Sequence, residues 1–305
     1  MTKKLLALLT SIALVVALTA CGAPAEERQS IAATAAELGD FDTLLFALGE
    51  AGLDGLFADD EAGPFTVFAP TDAAFAALPD GVLDQVLADE DLLAAFLTYH
   101  VLDGARSPVA LVNAGSVPTL QSLPLCFEAD GAGFAVNGDA VAAGPIQATN
   151  GTIYAVDVVL NPFDSVAGRA IFEGDYTTLV AAVTAAGLVD TLVCGGPFTV
   201  FAPTDAAFAA LPAGTVEGLL EDVDALTNIL LYHVVPGTLL AADVLAAVEA
   251  GGGSVDVTTA QGSAITVTAP EGVVLNGTVN VTETNILARN GVIHQIDTVL
   301  LPPAE

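Results

Sequence analysis

One segment of this chain occurs twice, and this repeat constrains the fold more than any other feature of the sequence. The residues from Gly63 to Pro79 return without a single change from Gly196 to Pro212, an offset of 133 positions from 63 to 196. A Tyr-His pair follows each copy at that same offset, first as Tyr99-His100 and then as Tyr232-His233. Identical segments at constant spacing indicate one structural unit that is used twice.

Length and composition agree with two domains and exclude one class of partner. A chain of 305 residues that is 53% hydrophobic is long enough for two units, each with its own core. Charge is strongly biased, with 6 basic against 37 acidic residues, and both lysines lie at positions 3 and 4. Such a surface repels a phosphate backbone, so we expect no nucleic-acid partner. We interpret the acidic residues mainly as a solvated surface suited to saline surroundings.

The N-terminus has the features of an export signal. Residues 1–20 combine the two lysines with an apolar run from Leu5 to Leu18, which is too short to span a membrane comfortably. Leu18-Thr19-Ala20-Cys21 resembles a bacterial lipobox, which implies cleavage before Cys21, acylation of that residue and a tether over residues 21–29. We therefore expect an exported protein on the periplasmic or cell-surface face of the bacterial envelope, held to the membrane by lipid alone. The alternative is ordinary cleavage after Ala23-Pro24-Ala25, which would release a soluble protein.

Each unit is predicted to begin with helices and to end in strands. In the first unit, apolar residues at helical spacing predict helices over Ile31–Leu38 and Phe41–Leu48. A longer helical region runs from Leu83 to Val101, and its acidic residues at 89–91 favour a division into two helices. In the repeated segment, Phe65, Val67 and Ala69 fall on one face of a predicted strand that ends at Pro70.

A second matched motif closes each unit. Asn150–Leu160 corresponds to Asn290–Leu300, and both begin with Asn-Gly and continue as an apolar run. The Asn-Gly pair predicts a left-handed turn, and the run after it predicts a largely buried strand. Only about five residues, Asn161 to Ser165, join the two units, so we expect the units to touch rather than to swing freely.

Three motifs in each unit together resemble those of a fasciclin domain. They are Thr-Val-Phe-Ala-Pro-Thr-Asp-x-Ala-Phe, Leu-x-Tyr-His-Val and the closing Asn-Gly-x-Ile-(His/Tyr)-x-(Ile/Val)-Asp-x-Val-Leu. The resemblance covers residues 30–162 and 165–303, which we expect to be fasciclin-like domains 1 and 2. It implies an α+β fold for each domain, a wedge of two small β-sheets with N-terminal helices packed on it. The first unit departs from the closing motif at Tyr154, where the second unit has His294.

The resemblance implies a non-enzymatic, extracytoplasmic function in adhesion or in surface and matrix interaction. The expected partner is a cell-surface or matrix macromolecule, which two repeated surfaces would bind with avidity. In animal members of the family the surroundings of the Tyr-His motif are linked to receptor binding, so the candidate partner-binding residues are Tyr99, His100, Tyr232 and His233. The structural alternative is a Tyr packed under the sheet beside a His in an internal hydrogen bond, and the identical setting in both units favours it.

The sequence gives little support for catalysis or for a metal site. The chain has three His, none of which pairs with another at zinc-ligand spacing, and it has neither a nucleophile elbow nor a phosphate-binding loop. We therefore expect no enzyme, no metal and no cofactor, although a nucleophile and its base can be remote in sequence. Thr71 or Asp72 can cap the helix predicted after the repeated strand, so Asp72 and its counterpart Asp205 are more simply explained as helix N-caps than as catalytic acids.

Two alternatives stay open. Cys126 and Cys194, one in each unit, either form a disulfide that braces the two domains in an oxidising compartment or remain as unpaired thiols. For function, the alternative to adhesion is a carrier that holds a small apolar ligand in the wedge between sheets and helices. Saturable binding of one such ligand per domain would favour the carrier.

Overall fold

The computed structural model describes most of the chain, namely residues 28–79, 81–131, 133–212, 214–269 and 272–303. The predicted export signal and Cys21, with most of the tether that follows, lie outside these described residues. Within them, no helix is both long enough and apolar enough to cross a membrane.

Domain 1 follows the predicted order of helices first and strands last. The hydroxyl of Ser30 caps the first helix by accepting the amide hydrogen of Ala33 at 3.3 Å. Asp89 divides the long helical region as predicted, because its carboxylate accepts the first amides of the second helix. The helices are α1 (Ile31–Leu38), α2 (Asp42–Glu50), α3 (Asp54–Ala58), α4 (Asp72–Ala76), α5 (Val82–Ala88), α6 (Glu90–Tyr99) and α7 (Pro108–Ala114). The strands are β1 (Phe65–Pro70), β2 (Val101–Asp103), β3 (Ser116–Pro118), β4 (Pro124–Asp130), β5 (Gly133–Val136), β6 (Asp139–Ala148) and β7 (Gly151–Val156).

The strands of domain 1 form two sheets that share β6. In the first sheet β1 pairs in parallel with β7 and antiparallel with β2, and β6 pairs with the other edge of β7. The start of β6 pairs with β5, and pairing continues through β4 to β3. Register shifts between Val141 and Ile146 make β6 irregular where it passes from one sheet to the other. Pairing is therefore continuous in the order β2-β1-β7-β6-β5-β4-β3.

Domain 2 repeats this arrangement, and its strands pair in the order β10-β11-β12-β13-β14-β8-β9, with β8 and β14 parallel. Its helices are α8 (Val166–Glu173), α9 (Thr177–Ala185), α10 (Val189–Cys194), α11 (Asp205–Ala209), α12 (Thr215–Glu221), α13 (Val223–Tyr232) and α14 (Ala241–Ala250). Its strands are β8 (Phe198–Pro203), β9 (Val234–Pro236), β10 (Ser254–Thr258), β11 (Ala264–Thr268), β12 (Val274–Leu275), β13 (Val279–Ala288) and β14 (Gly291–Ile296).

Each domain has two hydrophobic cores, one on either face of its central strands. Along β1 the side chains alternate as predicted, so that Phe65, Val67 and Ala69 pack with the helices while Phe68 packs between the two sheets. In domain 2, Val200 packs with the helices in the same way. Burial on both faces explains why these strands are apolar throughout. The α+β class expected from the sequence is confirmed.

Candidate functional site

The histidine of the first Tyr-His pair lies where α6 meets β2. His100 is 3% exposed, and its Nε2 accepts the amide hydrogen of Leu160 at 2.9 Å. The proton of the neutral ring is therefore on Nδ1, which donates to the carbonyl oxygen of Phe96 at 2.7 Å. His100 thus ties the end of α6 to the segment that follows β7.

The tyrosine of the pair occupies the core between the two sheets. Tyr99 is 1% exposed, and its hydroxyl donates to the carbonyl oxygen of Pro124 at 3.2 Å. Asn137, between β5 and β6, donates to the same hydroxyl at 3.1 Å and accepts the amide hydrogen of Cys126. Tyr99 therefore joins α6 to the hairpin of the second sheet.

Domain 2 forms the same set of bonds. His233 accepts the amide hydrogen of Leu300 at 3.0 Å and donates to the carbonyl oxygen of Ile229 at 2.8 Å. Tyr232 donates to the carbonyl oxygen of Ala264 and accepts a hydrogen bond from Asn276. Two domains with identical internal bonding indicate that the pairs are part of the fold.

Burial keeps the two histidines neutral and removes both pairs from the surface. It lowers the pKa of His100 and of His233 to about 4, so both rings are neutral at pH 7. Burial also raises the pKa of Tyr99 to about 12. Because Tyr99, His100, Tyr232 and His233 are all buried, a partner at the surface has no access to them. These bonds agree with the structural alternative, in which the pairs tie helix to sheet, and a role of the four residues in partner binding stays a prediction.

The departure of Tyr154 from the closing motif preserves the stacking and one hydrogen bond at this position, although Nδ1 of His294 also accepts the amide hydrogen of Asn285. Tyr154 and His294 each stack on a phenylalanine of the neighbouring parallel strand, at centroid distances of 5.6 and 5.8 Å. Tyr154 donates to the carbonyl oxygen of Arg106 at 2.9 Å, and Nε2 of His294 donates to that of Leu239 at 2.8 Å. Leu239 follows Arg106 by the offset of the repeat, 133 positions from 106 to 239. The two rings have the same structural role.

The asparagines of the closing motifs hold each domain together in a way that the sequence did not reveal. Asn150 is 2% exposed, and its Oδ1 accepts the amide hydrogen of Ile31 at 2.8 Å. Its Nδ2 donates to the carbonyl oxygens of Phe57 and Asp59, so that one side chain joins α1, α3 and the start of β7. Asn290 makes the corresponding bonds to the start of α8 and the end of α10.

The Asn-Gly pairs do not form the predicted left-handed turn. Neither Asn150 nor Asn290 has a positive φ. The glycine is required instead for close packing, because a Cβ on Gly151 would lie 2.2 Å from the carbonyl oxygen of Phe65 in the paired strand. The Asn-Gly pair therefore combines a bridging amide with a close approach of β7 to β1.

Asp72 and Asp205 cap helices, although not the helices that they begin. The hydroxyl of Thr71 caps α4. The carboxylate of Asp72 accepts amide hydrogens from the first turn of α2, including that of Thr43 at 2.8 Å, and this bond lowers the pKa of Asp72. Asp205 binds the first turn of α9 in the same way. Each carboxylate thus joins two helices and has a structural explanation.

The two domains meet at a junction formed around α10. A disulfide joins Cys194, the last residue of α10, to Cys126 in β4, with sulfur atoms 2.06 Å apart and Cα atoms 5.4 Å apart. Val193 packs in the core between the sheets of domain 1. Asp190 accepts a hydrogen bond from the hydroxyl of Ser116 at 2.9 Å. Of the two alternatives for the cysteines, the structure contains the bridge.

The linker between the domains is itself packed. Pro162 and Phe163 are buried, and Nε of Arg289 lies 3.3 Å from the carboxylate of Asp164. Burial raises the pKa of Asp164, while the charge of Arg289 opposes that rise. Gly168 in α8 lies so close to the linker that a Cβ there would be 2.1 Å from the carbonyl oxygen of Pro162. The expected contact between the two units is present.

Acidic residues are numerous on this chain, and in the part that the structure describes they form no cluster suited to a metal ion. Among the described residues, no group of three or more His, Cys, Asp or Glu is placed to hold a metal ion. The carboxylate of Asp297 accepts hydrogen bonds from the backbone and side chain of Asn280, as those of Asp72 and Asp205 do from helix ends. These carboxylates are therefore hydrogen-bonded within the protein.

Comparison with known proteins relates both domains to one family. A model of the fasciclin domain matches residues 39–162 and 174–302. The chain is 43% identical over 173 residues to Protein sll1483 of Synechocystis sp., covering 56% of this chain and 92% of that protein. It is 29% identical over 246 residues to the transforming growth factor-beta-induced protein ig-h3 of Sus scrofa, covering 79% of this chain and 35% of that protein. A solved FAS1 domain pair from the insect cell adhesion molecule Fasciclin I has a TM-score of 0.40 and 20% identity, with 87% of this chain and 98% of that chain covered.

The two matches to the family model fall on the two repeated units, and together they cover most of the chain. The same bridging asparagine, the same buried Tyr-His pair and the same sheet order occur in both units. The resemblance seen in the motifs is therefore confirmed, and this chain belongs to the fasciclin domain family, with two such domains in tandem.

Proposed function

We propose that this chain is an exported, lipid-anchored protein whose two fasciclin domains bind a cell-surface or matrix macromolecule without catalysis. The observation that carries the proposal is the junction, where α10, the disulfide and the packed linker hold two similar domains together. A fixed pair presents the outer surfaces of both domains at once. Weak contacts at each surface then combine with avidity if the partner is repetitive.

A location outside the cytoplasm has two supports. A structural disulfide between Cys126 and Cys194 persists in oxidising compartments and is rare in the cytosol. The N-terminal lipobox ending at Cys21 is the second support, because diacylation of that cysteine and acylation of its new amine would give stable membrane attachment.

The chemistry of the outer surface narrows the partner. Since the Tyr-His pairs are buried, we expect the partner to contact exposed side chains instead. The surface that they form is acidic, because the formal net charge of the chain is −31. Charge complementarity favours a partner with a neutral or basic surface. Binding of a basic partner would weaken as salt is raised, because exposed charges are screened.

A bead assay tests the proposal. Beads carry the chain from residue 26 onward, attached through its N-terminus in the orientation that a lipid anchor would impose, and are mixed with immobilised cell-envelope or matrix preparations at native salt. We expect retention that saturates and that the soluble protein competes away. A variant with Cys126→Ser and Cys194→Ser, which loosens the junction, should be retained less strongly. Retention no greater than that of uncoated beads, or retention that soluble protein does not reduce, would refute the proposal.

A mass measurement tests the anchor separately. Protein extracted from native membranes should have the intact mass of a chain that begins at Cys21 and carries acyl chains there. An unmodified chain that begins at Glu26 would show ordinary cleavage and end the anchor proposal. The adhesion proposal would then apply to a secreted protein.

A further inference from the structure

Domain 2 contains an apolar cavity that the repeat would not lead one to expect. Its volume is about 410 Å³, and it lies between the helices α8, α9, α10 and α13 and the first strands of the domain. Volumes of this size are typical of sites for small molecules. The side chains that define it include Val166, Ala170, Leu179, Val183, Leu192 and Leu230.

The corresponding space in domain 1 is filled. It has a volume of about 20 Å³, although it is built from the same helices and strands of the repeated unit. The difference lies in side-chain size, since domain 1 has larger residues at corresponding positions of α1, α2 and α3. The pairs are Ile31 and Val166, Leu48 and Val183, and Phe57 and Leu192. Smaller residues at several positions around one space open a cavity that the fold itself does not require.

Domain 1 supplies part of the cavity wall. Gln121, Ser122 and Leu123, in the turn between β3 and β4, line the cavity together with Ala260 of domain 2. Ser122 has a φ of 81°, a left-handed conformation in which the corresponding residue of domain 2 is Gly262. A serine in that conformation is strained, and strain of this kind is concentrated at functional sites. The cavity therefore belongs to the domain pair and depends on the junction.

Three of the polar side chains around the cavity, those of His233, Gln121 and Thr184, already form hydrogen bonds within the protein. Both ring nitrogens of His233 are hydrogen-bonded to the backbone, so only its ring carbon atoms are left to contact a ligand in the cavity. Gln121 accepts the amide hydrogen of Leu123, and Thr184 donates to the carbonyl oxygen of Val180. Among the described residues that line the cavity, none is Lys, Arg, Asp or Glu. An ionised ligand would find no counter-charge there, and a carboxylate would also be opposed by the negative net charge.

The cavity meets solvent at one side. Ser122, Ile171, Thr184 and Thr191 line it and are exposed. Ser122 and Thr191 each bring a hydroxyl-bearing side chain to this side, which suits a molecule with a single polar group at one end. The rest of the wall offers only apolar contact.

We infer that domain 2 binds one small, neutral, hydrocarbon-rich molecule in this cavity, with its wall completed by domain 1. The inference goes beyond adhesion and does not depend on it. One site per chain is expected rather than one per domain, because the corresponding space in domain 1 is filled.

The test uses two fluorescent probes of opposite character. The chain from residue 26 onward, which contains both domains, is titrated with neutral N-phenyl-1-naphthylamine and separately with anionic 8-anilinonaphthalene-1-sulfonate. We expect saturable binding of one neutral probe per chain and at least ten-fold weaker binding of the anionic probe. Absence of saturable binding of the neutral probe would overturn the inference, and so would preference for the anionic one.

A filled variant identifies the site. Val183→Leu combined with Leu192→Phe introduces the residues that domain 1 has at these positions, so we expect a thermal midpoint equal to or above that of the parent and at least ten-fold weaker binding of the neutral probe. The matched control, Val223→Leu with Leu287→Phe, adds the same atoms at exposed positions and should bind as the parent does. If the filled variant does not fold, Ala260→Leu narrows the cavity at one residue and should also weaken binding. A folded filled variant that keeps the affinity of the parent would contradict the assignment.

Discussion

At the scale of single residues, each domain depends on buried side chains that bridge distant parts of the backbone. Asn150 joins the start of α1 to the end of α3, and His100 joins α6 to the segment after β7. Both side chains satisfy backbone groups that burial would otherwise leave without a partner. Replacement of either residue should therefore be costly for stability.

Replacement of Asn150 tests this directly. Asn150→Ala leaves the amide of Ile31 and the carbonyls of Phe57 and Asp59 without this partner, so we expect the free energy of unfolding to fall by about 2–4 kcal/mol. Urea unfolding is the measurement. The control Asn113→Ala, at an exposed position of α7, should change stability by no more than about 0.5 kcal/mol. Equal effects of the two substitutions would show that the bridging bonds contribute little.

The buried histidines predict a dependence of stability on pH. Above pH 6.5 they are neutral in both folded and unfolded chains, and stability is at its full value. As the pH falls from 6.5 to about 4, these histidines become protonated in the unfolded chain but stay neutral in the folded chain. The free energy of unfolding therefore falls, by about 3 kcal/mol for each of His100 and His233. The raised pKa of Asp164 acts in the opposite direction.

Urea unfolding between pH 7.5 and 4 measures this dependence. His233→Gln should reduce the slope of stability against pH, because one of the buried histidines that take up protons on unfolding is gone; His294, whose pKa burial also lowers, remains in the variant. A slope that is flat in the parent, or that does not change in the variant, would contradict the protonation states assigned to the pair.

At the scale of secondary structure, the join between the linker and α8 is tightly packed. Gly168→Ala places a methyl group against the carbonyl of Pro162, so we expect a loss of about 3 kcal/mol in stability and a lower thermal midpoint. The matched control is Gly49→Ala in α2, where nothing lies within 4 Å of the new Cβ; it should stabilise by about 0.5–1 kcal/mol. An unchanged midpoint for Gly168→Ala would show that α8 moves away from the linker freely.

Local patterns predicted the elements well because their signals are short in range. The alternation at Phe65, Val67 and Ala69 specifies a strand with two buried faces, and Asp89 separates α5 from α6 by capping the next helix. The same patterns predicted helices before strands, which agrees with the α+β class. These predictions needed only neighbours within a few residues of each other, whereas the wedge of two sheets was implied by the family resemblance alone.

Predictions failed where a side chain acts on a distant segment. Of Thr71 and Asp72, the two residues expected to cap the helix that follows them, Thr71 caps α4, whereas the carboxylate of Asp72 caps α2, about thirty residues earlier in the chain. Asn150 was expected to shape a turn, but its amide binds residues more than ninety positions away. In both cases the residue type was informative, while the identity of its partner was set by tertiary packing.

At the scale of the whole molecule, the disulfide fixes the relation of the two domains. Peptide mapping without reduction should recover Cys126 linked to Cys194, and alkylatable thiols at both positions would refute the bridge. The bridge spans a sequence separation of 68 residues, so its removal by Cys126→Ser and Cys194→Ser should lower stability by up to about 4 kcal/mol. The measurement is urea unfolding of parent and variant under non-reducing conditions.

The two domains are similar in fold but differ in the size of the cavity between their helices and their first strands. Both bury a Tyr-His pair with the same bonds, whereas only slight changes of side-chain size separate the filled space of domain 1 from the cavity of domain 2. The repeat therefore specifies the framework. Differences between the copies, such as Phe57 against Leu192, mark the places where the second domain has room for another function.

The central claim is that the Tyr-His pairs hold the fold while contact with a partner takes place on the outer surface of the domain pair. The most direct test is bead retention by a double variant, His100→Gln with His233→Gln, measured per folded molecule and well below its thermal midpoint. We predict a lower midpoint than that of the parent, because the rings tie helix ends to the chain after the sheet, together with unchanged retention. A folded variant with the midpoint of the parent and no retention would contradict the claim and place the partner at the Tyr-His region.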